Sequence, residues 1–371
     1  MEAYVEELCG ALWESGRVDR VTVVTSRLPG GDAAERAPSG TTVFRYPAAD
    51  VITNFPLPMP SRGLGRSLRA AGKPRPDVVI GNTRFFPASL LALAQSRGLG
   101  VPYVHIEHGS DYVQLDNPAV AAVARGYDRT IGRTVLRQAD HVIAISEAAR
   151  GFVAELARRS VPVVYRGLPL SALAQTPAAP DAERLATGRP ILVYAGRLID
   201  GKGVRDLVEA VSRLEPAVLC VMLGDGPRRE DLEQQAREHA VEDRFAFLGY
   251  RPEEEVVAWM KAADVVVNPS YTEGLPTSVL LAAACQRAVV ATDVGGTREA
   301  TPDGEAALLV PPRDPAALAA ALQRVLDDPG LRARLAAAGF ERVRGRFDWQ
   351  RCVESLLALS SDRVPRAGAP H

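Results

Sequence analysis

Cysteine is scarce in this sequence, and its spacing excludes a disulfide framework. The 371 residues contain four cysteines, far apart and without a C-x-x-C pair: Cys9, Cys220, Cys285 and Cys352. Cys220 and Cys285 lie inside apolar runs, which is typical of small buried side chains. The pattern therefore predicts a reducing, cytosolic compartment.

Long hydrophobic runs are missing as well. No apolar run reaches the roughly 18–20 residues that a helix needs to cross a bilayer, so the sequence predicts no transmembrane helix. The first residues, MEAYVEELCGALWESG, have the pattern of an amphipathic helix with acidic side chains. That pattern excludes a secretory signal peptide.

The sequence also lacks an excess of charge of either sign. It contains 44 Lys and Arg residues against 45 Asp and Glu residues, for a formal net charge of -1. No overall charge therefore attracts nucleic acid, and any basic surface must be local. An Asp-x-Asp motif and a G-x-x-x-x-G-K-[ST] motif are both absent. This argues against a carboxylate-held metal on a nucleotide diphosphate and against a P-loop.

Apolar strand patterns alternate with helical patterns through almost the whole sequence. This alternation predicts an α/β protein with parallel sheets covered by helices on both faces. The length suggests two domains, and a Pro- and Ala-rich stretch at residues 175–190 is predicted to be a linker between them. Two doubly wound domains usually bind ligand in a cleft at the carboxyl ends of their strands.

Two cations follow the predicted strand PILVYAG. Arg197 comes directly after this strand, and Lys202 lies five residues later, just before a helix predicted to begin at Val204. Cations beside helix N–H groups suit a phosphate or a pyrophosphate. A solvated turn with two ordinary basic residues remains the alternative.

A single carboxylate, Glu273, lies between the predicted strand DVVVNPS and the helix GLPTSVLLAAA. It could cap the helix, whose N-terminus favours negative charge, or accept hydrogen bonds from ligand hydroxyls. Earlier in the same half, LGDGP at residues 223–227 is a strand-to-helix turn of the kind that nucleotides contact. It contains only half of a Gly-x-Gly fingerprint.

Two histidines lie in HIEHGSD. Because His105 and His108 are three residues apart on an extended strand, they face opposite sides, which argues against a metal site. His108 lies at the strand end, where a side chain can reach a cleft. His105 is predicted to lie in the core.

Four segments together carry a family resemblance: HGSD, ADHVIAIS, GRLIDGKG and EGLPTSVLLAAACQRAVVATDVGGTRE. They resemble the retaining GT-B glycosyltransferases of family four, which use nucleotide-sugar donors. The resemblance covers residues 2–359. It implies a GT-B fold with domains at 1–165 and 166–346, a helix at 347–359 that packs toward the first domain, and a disordered tail at 360–371.

The resemblance also implies roles for individual residues. Arg197 and Lys202 would hold the donor's pyrophosphate, Glu273 would contact the donor sugar, and His108 would reach that sugar from the first domain. These four are the expected catalytic residues. The expected donor-binding residues are Gly196, Gly224, Gly274, Leu275, Pro276, Thr277 and Leu281. No cofactor is implied beyond a UDP- or GDP-linked donor.

The sequence departs from the family pattern in two places. Leu281 stands where the family has a second glutamate that binds ribose hydroxyls, and a hydroxyl left unpaired costs roughly 1–3 kcal/mol. The family's first strand and its Gly-Gly loop also have no counterpart here. We expect the loss of that central strand to leave unpaired strand edges in the first sheet, and a start site assigned too far downstream is one explanation.

Arginines recur every four residues at Arg125, Arg129, Arg133 and Arg137. On one helix they would form a slowly drifting basic stripe that suits an anionic partner such as lipid headgroups. A solvated face is the alternative. Arg125, Arg129 and Arg133 are therefore candidates for contact with a membrane or an acceptor, on a cytoplasmic protein associated with the inner face of the plasma membrane.

The expected function is transfer of a sugar to a glycan or lipid-linked acceptor in cell-surface polysaccharide or glycolipid synthesis. One alternative is a nucleotide-sugar epimerase, for which the sequence shows no acid/base pair. A second alternative is a non-catalytic GT-B protein that binds a glycan or a partner.

Overall fold

The computed structural model describes residues 2–27, 32–37, 39–52, 55–112 and 118–361. The chain forms two compact units. Residues 1–167 and 349–371 form the first, and residues 168–348 form the second. Both boundaries lie two residues later than the predicted 165/166 and 346/347. The last helix runs to Ser361, which corrects the tail predicted from residue 360, and residues 362–371 lie outside the described residues.

Within the described ranges, the first unit forms three separate sheets. Its strands are β1 (Thr22–Ser26), β2 (Ala34–Arg36), β3 (Thr42–Tyr46), β4 (Ala48–Ile52), β5 (Phe55–Pro58), β6 (Val79–Asn82), β7 (Tyr103–Glu107) and β8 (His141–Ala144). One sheet has the order β1–β3–β2, with β1 and β3 parallel and β2 antiparallel. A parallel sheet has the order β6–β7–β8, and β4 pairs with β5 as an antiparallel ladder.

The helices of the first unit come from both ends of the chain. They are α1 (Glu2–Glu14), α2 (Arg62–Ala71), α3 (Pro87–Leu99), α4 (Pro118–Tyr127), α5 (Arg133–Gln138), α6 (Glu147–Ala157) and α16 (Trp349–Ser361). Helix α16 packs against α1, with the ring centroids of Tyr4 and Trp349 5.7 Å apart. Glu7 accepts hydrogen bonds from Trp349 Nε1 at 3.2 Å and from Arg166 at 2.7 Å. The two termini of the described chain are therefore joined by packing and by charge.

Strands β1 and β6 lie at the edges of their sheets. Among the described residues β1 pairs only with β3, and β6 only with β7. Both edge strands are half-buried along most of their length, whereas every residue of β7 is buried. Each of these two strands therefore has one edge without a strand partner among the described residues.

The second unit is a doubly wound sheet of six parallel strands. The strands are β9 (Ile191–Ala195), β10 (Leu219–Leu223), β11 (Phe245–Gly249), β12 (Val265–Asn268), β13 (Ala288–Thr292) and β14 (Leu308–Val310). Their order is β11–β10–β9–β12–β13–β14. The chain moves outward from β9 in one direction and from β12 in the other. The carboxyl ends of β9 and β12 therefore form the switch point at which such sheets bind ligands.

Helices cover the sheet of the second unit. They are α7 (Leu170–Gln175), α8 (Ala182–Ala186), α9 (Val204–Ser212), α10 (Arg229–Glu238), α11 (Glu253–Ala262), α12 (Thr277–Ala284), α13 (Thr297–Ala300), α14 (Pro315–Asp327) and α15 (Pro329–Arg346). One hydrophobic core joins the strands to α9, α10, α14 and α15. No helix in the described ranges is apolar over enough residues to cross a bilayer.

The predicted linker at residues 175–190 belongs to the second unit, which corrects its assignment as an interdomain connection. It contains α8, and it is held to the unit at its start. Lys261 Nζ donates hydrogen bonds to the carbonyl oxygens of Ala174 at 2.9 Å and Thr176 at 2.5 Å. The Pro- and Ala-rich composition correctly indicated that this stretch contains no strand. It did not locate the boundary between the two units, which lies before residue 168.

Candidate active site

The loops after β9 and β12 meet at the switch point of the second unit. The loop after β9 contains a short 3-10 turn, Asp200–Lys202, and α9 begins two residues later. Lys202 Nζ lies 2.6 Å from Glu273 Oε1 in the loop after β12. The Tyr271 N–H donates to the Gly201 carbonyl oxygen at 2.9 Å. The two loops are thus joined by an ion pair and by a backbone hydrogen bond.

The carboxylate of Glu273 is held by polar side chains from its own loop. Its Oε1 atom accepts hydrogen bonds from Ser270 Oγ at 2.7 Å and from Asn268 Nδ2 at 3.5 Å, besides Lys202. Both Ser270 and Asn268 are buried. The Lys202 and Glu273 side chains are 25% and 12% exposed, so solvent screens their attraction less than it would screen a surface pair. This geometry fixes the position of Oε1.

The alternative role of Glu273, as a helix cap, concerns the first turn of α12. The helix begins at Thr277, and its N-cap is Pro276, which makes no side-chain capping hydrogen bond. The three hydrogen bonds to Glu273 Oε1 come from side chains outside this helix. That oxygen is therefore engaged by the loops at the switch point.

Arg197 lies at the same end of the sheet. Its side chain is exposed, and its carbonyl oxygen accepts a hydrogen bond from Tyr194 Oη at 2.8 Å. Burial raises the pKa of Tyr194 well above its usual range, Glu273 raises it further, and Arg197 lowers it. Both charges therefore act on the same hydroxyl. The structure brings Arg197, Lys202 and Glu273 together at the carboxyl ends of β9 and β12.

Close backbone contacts between glycines and neighbouring loops hold this platform together. Gly295, with φ 50°, packs so tightly that a Cβ on it would lie 1.6 Å from the Glu273 carbonyl oxygen. A Cβ on Gly224 would lie 1.9 Å from the Gly196 carbonyl oxygen. Only glycine permits these approaches. Gly196 and Gly224 thus bring the loops after β9 and β10 into contact.

Comparisons with known proteins agree with this architecture. A model described as Glycosyltransferase Family 4 matches residues 1–172, and one described as Glycosyl transferases group 1 matches residues 175–342. The D-inositol 3-phosphate glycosyltransferase of Frankia alni is 32% identical over 383 residues, with coverage of 96% of this chain and 93% of that protein. The chain belongs to the glycosyl transferases group 1 family.

Solved structures show the fold of this glycosyltransferase to be GT-B. A sucrose-phosphate synthase from Thermosynechococcus elongatus superposes with a TM-score of 0.78 at 25% identity, covering 96% of this chain and 92% of that one. HepE from Anabaena, solved in complex with UDP-glucose, superposes with a TM-score of 0.73 at 21% identity, covering 95% of each chain. The predicted α/β class, with Rossmann-like domains, is confirmed.

The other donor-binding candidates of this glycosyltransferase lie at or just beyond the same loop. Gly274, Leu275, Pro276 and Thr277 lead from Glu273 into α12, and the side chains of Leu275 and Pro276 are buried. Leu281 is only 4% exposed on α12. Its apolar side chain offers no hydrogen bond to a ribose hydroxyl, as its residue type already indicated.

Several residues of the site had no sequence motif of their own. Tyr271 stacks under the guanidinium of Arg313, whose Cζ lies 4.1 Å from the ring centroid. Asp200, in the Lys202 turn, pairs with Arg228 at 2.6 Å. Ser270 and Asn268 could have been noticed as polar residues at the end of a buried strand, whereas Arg313 and Arg228 come from distant segments that only the fold brings here.

His108 belongs to the first unit and follows β7. Its Nε2 lies 3.2 Å from Asn82 Oδ1, and the edge of the Tyr4 ring packs against its imidazole at 4.6 Å between centroids. Burial lowers the pKa of His108 to about 3, so the imidazole is neutral near pH 7. His105 is fully buried, as predicted, and contacts Tyr103 and Glu107 instead.

The arginine series does not lie on one regular helix, which corrects the prediction of a single basic stripe. A π-helical segment, Asp128–Gly132, separates α4 from α5. Arg125 and Arg129 are exposed, and the Arg129 guanidinium lies 5.5 Å from the Tyr112 ring centroid. Arg133 is partly buried, and its Nε has no hydrogen-bond partner within the described ranges.

Replacing Gly295 tests the close contact behind Glu273. We expect Gly295→Ala to lower the free energy of unfolding of the second unit by at least about 3 kcal/mol, because a clash adds to the strain of a positive φ. Gly304→Ala is the matched control, since Gly304 has φ 71° but open space around its Cβ position. It should lose only about 1–2 kcal/mol. The loss of unfolding free energy in each variant is measured by urea denaturation, with hydrogen exchange of second-unit peptides as the readout. Equal losses in Gly295→Ala and Gly304→Ala would contradict the close contact assigned to Gly295.

The partly buried His108 predicts a specific response to acid. The pKa of His108 in the folded chain is about 3, which lies below the usual histidine value. As the pH falls, this imidazole is therefore protonated in the unfolded chain before it is protonated in the folded chain. Between about pH 6 and 4 this should reduce stability by up to ~1.4 kcal/mol per pH unit. We expect His108→Gln to flatten that slope in first-unit peptides, and the exposed control His239→Gln to leave it unchanged. An unaltered slope in His108→Gln would contradict the lowered pKa of His108.

Proposed function

We propose that this chain transfers a sugar from a UDP- or GDP-linked donor to a glycan or lipid-linked acceptor, with retention of configuration at the anomeric carbon. The observation that carries the proposal is the 2.6 Å pair of Lys202 and Glu273 at the switch point of the second sheet, with Arg197 in the same loop as Lys202. This arrangement offers positive charge for a diphosphate and a carboxylate for sugar hydroxyls within one loop cluster.

The two cations would stabilise the leaving group. When a nucleoside diphosphate departs from an anomeric carbon, negative charge develops on the phosphate and positive charge on the sugar. An ammonium carries three donors, so Lys202 can bind a phosphate oxygen while it contacts Glu273. Donors that are positioned before the reaction lower the barrier without reorganising as the charge develops. In this proposal no metal ion has to supply that charge.

Glu273 would orient the sugar and leave the chemistry to the acceptor. Its Oε1 accepts hydrogen bonds from Lys202, Ser270 and Asn268. A carboxylate oxygen bound by several donors is a weak nucleophile and a well-placed acceptor. We therefore favour the front-face route implied by the family resemblance, in which the acceptor attacks from the side on which the diphosphate leaves.

The strand order suggests where the nucleoside would lie. With the diphosphate at the β9 loop and the sugar at the β12 loop, the nucleoside would extend toward β10 and β11. Tyr250 follows β11 and is 75% exposed. An aromatic ring at this edge would provide a stacking surface for the base. The UDP-glucose bound by HepE, which shares the fold, supports a nucleotide-sugar donor.

The first unit carries the surface proposed for the acceptor. Arg125 and Arg129 are exposed, and Val123, which lies on α4 with Arg125, is 72% exposed. Cations beside an exposed apolar side chain suit an anionic lipid surface or a phosphorylated acceptor. The name of the Frankia relative includes a phosphorylated polyol. We accordingly propose a cytoplasmic enzyme in peripheral contact with the inner face of the plasma membrane.

A non-catalytic GT-B protein is the second candidate. Leu281 favours it, because this buried apolar side chain replaces the carboxylate that binds ribose in the family pattern. Loss of that contact could weaken the donor complex by about ten- to a hundredfold, at roughly 1–3 kcal/mol. Both candidate proteins would bind a nucleotide, but only the glycosyltransferase would turn over a nucleotide-sugar donor.

Donor hydrolysis by the purified chain distinguishes the two candidates. We expect release of UDP or GDP from one member of a panel of nucleotide sugars. Lys202→Ala and Glu273→Gln should each lower kcat by about 10²–10³-fold, because each removes a preorganised partner of the transition state. The control is Arg213→Ala, a basic residue next to α9 that pairs with exposed Glu209. Nucleotide binding without turnover in the parent chain would favour the non-catalytic protein.

The proposed stacking residue is tested by nucleotide binding. We expect Tyr250→Ala to weaken binding of the free nucleoside diphosphate by about tenfold, since base stacking on an aromatic ring contributes about 1–3 kcal/mol. Tyr250→Phe keeps the ring and should retain the parent affinity. Isothermal titration calorimetry measures all three proteins. Equal affinities in the alanine and phenylalanine variants would exclude a stacking role.

A further inference from the structure

The first unit contains a buried carboxylate with an unusual number of donors. Glu107 ends β7 and is 0% exposed. Its Oε1 accepts hydrogen bonds from the backbone N–H groups of His108 at 3.0 Å and Gly109 at 2.8 Å, and it lies 3.0 Å from Arg84 Nη1. Its Oε2 accepts from the Arg84 N–H at 3.0 Å and lies 3.2 Å from His105 Nε2.

Arg84 supplies the charge that makes this burial possible. It is 1% exposed, it pairs with Glu107, and its Nη2 donates to Asp128 Oδ2 at 3.0 Å. Its guanidinium also lies 4.5 Å from the ring centroid of Phe152. Burial alone would raise the pKa of the Glu107 carboxyl, but Arg84 and His105 outweigh it and hold that pKa well below its usual range. The group is therefore a permanent carboxylate.

Two strand-end turns converge on this carboxylate. Thr83 and Arg84 follow β6, and Thr83 has a left-handed φ of 58°. His108 and Gly109 follow β7. A Cβ on Gly109 would lie 3.0 Å from Arg84 Nη1 and 3.3 Å from Glu107 Oε1, so the second turn is packed directly on the ion pair. Glu107 contacts backbone atoms of both turns, which fixes their relative position.

We propose that Glu107 is a positioning residue that holds the His108–Gly109 turn through its two peptide N–H groups, with Arg84 as its charge partner. The proposal rests on the proposed function, and it takes His108 to contact the donor sugar, as the family resemblance implies. Glu107 itself touches no substrate, and it acts by fixing the backbone from which the His108 imidazole projects. Displacing a reacting group by about 1 Å can lower a rate by about 10²-fold.

A purely structural role for the ion pair is the competing explanation, and a double-mutant cycle separates the two. We expect Glu107→Gln to lower kcat by about 10–100-fold with less than about a threefold change in donor KM. In a His108→Ala background the same substitution should lower kcat by less than about threefold, because the positioned group is already gone. An equal loss in both backgrounds would overturn the proposal.

Two further variants distinguish a loss of positioning from simple misfolding. Tyr103→Phe removes a hydroxyl that lies 3.0 Å from His105 Nδ1, in the same buried network but away from the turn, and it should retain kcat within about threefold. Glu107→Asp keeps the negative charge for Arg84 but shortens its reach to the turn. We expect Glu107→Asp to behave like Glu107→Gln. If Glu107→Asp retains parental kcat, charge alone matters and the proposal fails.

Spectroscopy tests the positioning independently of turnover. Selective ¹⁵N labelling of the five histidines and of glycine reports the His108 ring and the His108 and Gly109 amides. Glu107→Gln should shift the His108 ring resonances and accelerate exchange of both amides by more than tenfold, whereas Tyr103→Phe should do neither. Unchanged amide exchange in Glu107→Gln would overturn the proposal. Faster exchange in a chain that shows no turnover would uphold the positioning and count only against the proposed enzyme activity.

Discussion

The ion pair between Lys202 and Glu273 is the interaction on which the candidate site depends. It joins the loops after β9 and β12 at the switch point of a parallel sheet, which is where such sheets bind ligands. Two backbone contacts support this ion pair. Gly295 packs directly against the Glu273 carbonyl oxygen, and the Tyr271 N–H donates a hydrogen bond to the Gly201 carbonyl oxygen. A charged pair at this point is held in place before any ligand arrives, because both loops are fixed by the sheet.

The ion pair of the candidate site in the second unit is more exposed to solvent than the Glu107–Arg84 pair of the first unit. In the second unit Lys202 and Glu273 retain some solvent exposure, which suits groups that exchange partners with an anionic ligand. In the first unit Glu107 and Arg84 are almost fully buried. A buried ion pair offers little net stability over apolar packing, and it becomes strongly unfavourable if either partner is lost. Its retention is therefore better explained by the geometry that it imposes on adjacent turns.

The departures from the family pattern also have physical consequences. Leu281 lies in the interior of the second unit and offers no carboxylate at the family's second glutamate position, while Tyr250 is exposed just beyond β11. Among the described residues of the first unit, β1–β3–β2 and β6–β7–β8 are separate three-stranded sheets, with β1 and β6 at their edges. Half-buried edge strands are less protected than the fully paired strands of the second sheet.

The sequence by itself determined the α/β class, the family, and the segments that carry Arg197, Lys202 and Glu273. Strand and helix patterns are local, and the loops after buried strands are recognisable from short motifs. It did not determine the domain boundary at residue 168, the π-helical break among the arginines, or the burial of Leu281. Tertiary structure alone decided that Lys202 pairs with Glu273, and that Glu107 gathers donors from two turns. Those contacts depend on which strands become neighbours and at what register, because residues far apart in the chain meet only when parallel strands align their carboxyl ends.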